Sequence, residues 1–375
     1  MGGCVGKMSA SHEAPVEWHT EWHADEPTTS APRAPRASGM LAGLAPRSTL
    51  PDGELQLGGY LLDRQITGRP VEGDDFENLV RANETVMQTR EALAYGRGNM
   101  TDDVDYSNGV SSIRTAAGRR ARKNLPHTFD HPVRVAASSL AAQAGNCGEH
   151  AHVAAFLHAA KLREGQQVCV VTDETDDHSW AELRGDHADR SHHVIMDPWG
   201  KGPAIFADDG ASSSNGHELT VEHHYDRTTG AKAHAQMRKL HRRHGRQLKS
   251  DVREAMNALG PNFRYPESSL WPATPVVSGA FAQCAVDRMI EEPNPAYLAP
   301  PPEDGGHGWA TPIPTNERWM APLRQEIHAT ETARTLGARD LRDITRAATR
   351  IADVAVDPRD YNLPSHPAQY APEDF

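Results

Sequence analysis

Three side chains in the middle of the chain are of types that together can run nucleophilic chemistry: Cys147, His178 and Asp197. A cysteine attacks as its thiolate, so it must sit where negative charge is favoured. The stretch "AQAGNCGEHAHVAAFLHAAKL", Ala142 to Leu162, places Cys147 where a loop turns helical. Gln143, Ala144, Gly145 and Asn146 suit a tight turn and a cap, while Val153, Phe156, Leu157 and Ala160 recur at helical spacing. With Asn146 as the cap, Cys147 falls in the first turn, where unpaired N–H groups and the helix dipole favour an anion. An imidazole must accept the thiol proton and return it to the leaving group, and a carboxylate or amide must fix that imidazole's tautomer. His178 opens "HSWAEL" and Asp197 closes "HHVIMDPW", where Pro198 ends strand pairing. Two adjacent strands would present them side by side across the helix N-terminus. Trp180 shares a strand face with His178 and would wall the site. The backbone N–H of Cys147 is the first oxyanion donor, with Gln143 as a further candidate.

The elements that must position these groups are legible at low resolution. From Asp74, the residues Phe76, Leu79, Val80, Val86 and Met87 form a broken helical stripe. Gly96, Gly98 and a loop, "TDDVDYSNG", then end it. The basic run "RRARKN", Arg119 to Asn124, reads as a solvated helix face, with phosphate or an acidic partner as the sharper alternative. After the Cys147 helix, "QQVCVVT", "HSWAEL" and "HHVIMDP" have strand chemistry. One helix followed by several short strands points to α+β, not to alternating βαβ units. "RKLHRRHGRQLK", Arg238 to Lys249, holds six Lys or Arg and reads as an exposed helix, with phosphate binding as the sharper alternative. "EEPNPAYLAPPPEDGGHG" is a Pro/Gly linker. Residues 318–355 read as helical, with Leu323, Ile327, Leu341, Ile344 and Ile351 facing a core.

The blocks "GNCGEHA", "HSWAEL" and "MDPWG" resemble the Cys, His and Asp blocks of the transglutaminase-like branch of the papain-like cysteine enzymes. Together with the region upstream, the chain resembles the AvrPphE/HopX/XopE family of type III secreted effectors, which bacterial pathogens inject into plant cells. The resemblance spans roughly residues 60–290. It implies a catalytic helix packed on a small antiparallel sheet, with Cys147 as nucleophile, His178 as base and Asp197 as orienter. It also implies a segment before the cysteine that binds a target or cofactor. The organisation expected is a disordered secretion and tether segment over 1–55 and a mostly helical region over 56–140. A catalytic core with C-terminal helices over 141–355 and a disordered tail over 356–375 complete it. The activity expected is that of a monomeric thiol enzyme on a host protein, by proteolysis, deamidation or acyl transfer, altering host defence and needing no cofactor. The competing reading is a binding module that sequesters a host partner.

A third reading is a metal-dependent hydrolase, because His187, His192, His193 and Asp197 crowd together. His192 and His193 are adjacent, however, and on a strand would point to opposite faces, so no metal is expected. Cys169 reads as a buried strand residue and Cys284, in "AFAQCAVDRM", as a helix-core residue. Four widely spaced cysteines give no disulfide framework.

The chain carries 375 residues, 38% of them hydrophobic, and a net charge of -12. That charge argues against nucleic acid as a general partner. No apolar run approaches the ~20 residues of a membrane span. "MGGCVGK" nevertheless offers Gly2 as an N-myristoylation acceptor and Cys4 as a palmitoylation site. Two chains would anchor the protein stably to the cytoplasmic face of the host plasma membrane. Residues 8–50, rich in Ala, Ser, Thr and Pro, would be a disordered tether.

Overall fold

The computed structural model describes residues 50–185, 190–213, 219–272, 274–291, 317–336 and 338–346. Gly2, Cys4, the tether, His187, Ile351 and the C-terminal tail lie outside them.

The chain is α+β. Among the described residues, six helices precede the sheet: α1 (Asp52–Ile66), α2 (Gly73–Ala92), α3 (Thr101–Tyr106), α4 (Val110–Arg122), α5 (His131–Ala142) and α6 (Cys147–Ala159). Strands β1 (Gln167–Asp173), β2 (His178–Arg184), β3 (Val194–Met196), β4 (Ile205–Phe206) and β5 (Leu219–Asp226) follow. Then come α7 (Arg227–Leu259), α8 (Gly279–Glu291) and α9 (Glu317–Thr335). The strands form one sheet in the order β4-β3-β2-β1-β5, with every neighbouring pair antiparallel. Near-continuous burial of Val168, Cys169, Val170 and Val171 shows that both faces of β1 are covered.

Helix α6 is buried almost all round, with Ala151, Val153, Ala154, Ala155 and Phe156 at 0% exposure, because it runs through the centre. It packs on β1 and β2 on one side and on α2, α5 and α7 on the others. One apolar core runs without a break from Leu55 through Phe156 and Trp180 to Ile344.

Several expectations are corrected. "TDDVDYSNG" is not all loop: Thr101–Tyr106 is helical, and Gly109 turns the chain with φ 81°. In the basic run, Arg119 and Arg122 are not simply solvated, for both meet Glu149 at the start of α6. Cys284 is exposed, because α8 turns Phe281, Ala282 and Ala285 inward and leaves Cys284 on the outer side. Ile327 is 48% exposed, whereas Leu341 and Ile344 are buried. Leu323 is only partly buried.

Candidate active site

The turn that delivers Cys147 is stitched to a distant segment. Tyr95 N–H donates to the Gln143 carbonyl (2.9 Å), Gly98 N–H to the Gly145 carbonyl (3.1 Å) and Gly145 N–H to the Gly96 carbonyl (3.3 Å). Gln143 ends α5 in the left-handed region, φ 56°. Its Oε1 lies 3.5 Å from Arg114, whose guanidinium sits 3.5 Å over the Tyr95 ring. The Gln143 carboxamide thus has a structural neighbour of its own.

Asn146 is the N-cap of α6. Glu149, in the first turn, reaches back to the Asn146 N–H at 3.0 Å. The same carboxylate takes a bidentate pair from Arg119, at 2.8 and 2.7 Å. Burial alone would raise the Glu149 pKa, but Arg119 and the Asn146 N–H bring it below the ordinary carboxylate value. Cys147, the first residue of the helix, is partly exposed. Its Sγ lies 3.8 Å from the carbonyl of Asp177.

His178 arrives from the sheet. The β1–β2 hairpin is closed by Asp173, whose Oδ1 accepts the N–H groups of Thr175 (2.9 Å) and Asp176 (3.3 Å). Asp177 takes a left-handed conformation, φ 47°. That turn brings His178, buried at 8% exposure, against the start of α6. Since Ala181 faces Met196 across β2 and β3, Asp197 emerges level with Trp180 and one diagonal step from His178. His178 Nε2 and Asp197 Oδ2 are 2.8 Å apart, which leaves Nδ1 for the thiol. Burial pulls the His178 pKa down, but the Asp197 charge, its hydrogen bond and the Cys147 sulfur outweigh it and push the value up to about 10.

Asp197 is held by three hydrogen bonds that fix its direction. Its Oδ1 accepts the N–H groups of Trp199 and Gly200, both at 3.0 Å, so Oδ2 can point only at His178. Burial would raise this carboxyl, and His178 with the Gly200 N–H draws it below the usual range. Two arginines hold the loop that follows. Arg90 donates to the carbonyls of Pro198 (3.2 Å), Gly200 (2.9 Å) and Gly202 (2.8 Å). Arg97 donates to the Trp199 carbonyl at 2.8 Å and grips Asp103 with its other nitrogens. A Cβ at Gly200 would lie 2.7 Å from Asp197 Oδ2, so the close turn needs glycine there.

The structure brings Cys147, His178 and Asp197 together. Trp180 is fully buried beside His178, ring centroids 5.8 Å apart, with its indole N–H turned to Glu182 at 3.3 Å. The closer aromatic is Trp199, at 5.0 Å from the His178 ring, held by Asn99 (3.1 Å) and edge-on to Trp271. Sequence reasoning missed Trp199, Arg90, Arg97 and Glu149. The "DPWG" sequence carried a signal only for the turn, in which Asp197 Oδ1 accepts the Trp199 and Gly200 N–H groups; nothing local marked Trp199 as a neighbour of His178.

The histidine and aspartate group considered for a metal is dispersed. His192 meets Asp75 at 2.9 Å and His193 meets Glu182 at 3.2 Å, while Asp197 serves His178. No cluster of three or more metal-ligating side chains exists among the described residues. Cys169 is buried in β1, and burial raises its thiol pKa.

Comparison with protein-family models, curated proteins and solved structures finds no match to this chain.

Proposed function

We propose that the protein is a cysteine enzyme of the transglutaminase-like and papain-like kind, acting on a host-protein amide through Cys147, His178 and Asp197. The observation that carries this reading is the doubly anchored Asp197 carboxylate, 2.8 Å from His178 Nε2, on a strand start whose preceding carbonyl, that of Asp177, lies 3.8 Å from the Sγ of Cys147. The α+β class and the order of the three blocks support the superfamily reading, and the effector setting rests on the sequence resemblance alone.

His178 takes the thiol proton, and the sulfur attacks the substrate carbonyl carbon. The carbonyl oxygen becomes the oxyanion, facing the Cys147 N–H, one of the donors a helix leaves unpaired in its first turn. On collapse of the tetrahedral species the C–N bond breaks and His178 gives its proton to the departing amine. The thioester is then cleaved by water, giving hydrolysis or deamidation, or by an amine, giving a new amide. Asp197 keeps the ring aligned throughout and stabilises its cationic form.

Cys284 supplies an internal reference, since it is an exposed helical thiol. Mass-resolved alkylation with iodoacetamide below pH 8 should label Cys147 well ahead of Cys284 and Cys169. In His178→Ala the Cys147 rate should fall to that of Cys284. Equal rates for Cys147 and Cys284 in the unmodified chain would overturn the assignment. Acylation at Gly2 and Cys4 belongs to the same proposal. In plant cells Gly2→Ala should move the protein to the soluble fraction, and a variant that stays wholly membrane-bound removes the anchor.

A further inference from the structure

We infer that the outer face of α7 is a docking surface for an anionic phospholipid membrane. This helix holds nine Lys or Arg against two acids, Asp251 and Glu254, in a chain whose net charge is -12. The sorting is geometric. Ala233, Met237, Leu240, Leu248 and Val252 form the inner stripe and are buried against α4 and α5. Lys232, Lys239, Arg242, Arg243, Arg246 and Arg253 lie on the opposite side, all exposed. None of these six forms an ion pair among the described residues.

Asp251 stands off this line, bonded to Asn124 and Gln247, and Glu254 follows its last cation. The basic row from Lys232 to Arg253 is therefore uninterrupted, and at 1.5 Å per residue it is about 32 Å long. A straight row of cations on a rigid helix matches a plane of lipid phosphates and carboxylates. It fits single-stranded nucleic acid less well, because its exposed positions hold no aromatic side chain for stacking. The acidic remainder of the chain would also repel a long polyanion wrapping further. The thiol is not blocked by such docking, since α7 touches α6 near Phe156 through His234, at 3.0 Å, and Cys147 is at the other end of that helix.

The inference does not need the acyl chains of the proposed function, and its test leaves them out. Protein made without an acyltransferase is sedimented with vesicles of phosphatidylcholine alone or mixed with phosphatidylserine. It should bind only the mixed vesicles, and added salt should release it. At about fivefold per basic residue lost, Lys239→Glu/Arg242→Glu/Arg243→Glu/Arg246→Glu should weaken binding on the order of 10²–10³-fold. The matching glutamine set serves if that variant does not fold. Arg163→Glu/Arg339→Glu should leave binding unchanged. Equal binding to both vesicles, unchanged binding by a folded α7 variant, or tighter binding to duplex DNA than to the mixed vesicles at the same salt would overturn the inference.

Discussion

His178 and His158 are both buried, and they end in opposite charge states. His178, against the N-terminus of α6, has its pKa raised to about 10. His158, in the last turn of the same helix, is pushed down to about 3 by burial and by Lys161 and Arg81. His150, one turn in from Cys147, is lowered to about 4, first by burial. The difference lies in the partner. His178 faces a carboxylate, whereas His150 meets the Asn146 carbonyl and His158 the Thr85 hydroxyl, both at 2.9 Å. A neutral oxygen can orient a ring but does not offset the desolvation of its charge. Burial thus makes a histidine inert unless a carboxylate is buried with it.

The strongest way to break this contrast is Asp197→Asn. The amide leaves His178 in place with no anion to offset burial, so its pKa should fall from about 10 to below the free value of about 6.5. NMR titration of the ring checks this, and turnover should drop by about 10⁴ if Asp197 acts as carboxylates do in such triads. A ring still charged at pH 8 would mean that another group holds it.

The next effect is on stability against pH. His150, His152 and His234 are lowered to about 4 and His158 to about 3, each chiefly by burial. The unfolded chain therefore binds more protons than the folded one below about pH 6.5, and each of these four removes ~1.4 kcal/mol per pH unit on the way down to about pH 4. His178 has the opposite sign. Its contribution is complete below about pH 6.5 and is lost as pH rises through about 10. Urea melts across pH should show a steep acid limb and a shallower alkaline one, and Asp197→Asn should flatten the alkaline limb while also removing the loss that protonation of the Asp197 carboxyl adds at the acid end.

A smaller test moves the carboxylate. Thr85→Asp sets an anion beside His158 and should lift that ring from about 3 towards its free value, as read by the same NMR titration. The smallest expected effect is His158→Leu. The ring's Nε2 is buried without a partner, so an apolar replacement should change stability by less than about 1.5 kcal/mol at pH 7. It should also remove one proton from the acid limb.

The sequence made the triad legible because each member is fixed by local rules: a cap before Cys147, a strand start at His178, and Pro198 after Asp197. What fixes their mutual geometry was not legible. Arg90 and Arg97 reach the Asp197 loop from over a hundred residues away, and nothing in their own neighbourhood marks them. Arg119 was read as part of a charged face because the Glu149 that answers it lies on another helix. Cys284 and Ile327 failed for a related reason. Short apolar patterns fit two helix faces, and only tertiary packing chooses one.

The arginine clamp has a consequence for modularity. Arg90 and Arg97 lie before α6, and so do the backbone groups of residues 95–98 that grip the turn into Cys147. A fragment beginning at residue 141 would retain Cys147, His178 and Asp197 yet lose the fixtures that hold two of them in place. The three-residue arrangement is therefore not transplantable as one contiguous piece, and any excision or fusion that preserves it must carry the upstream helices along.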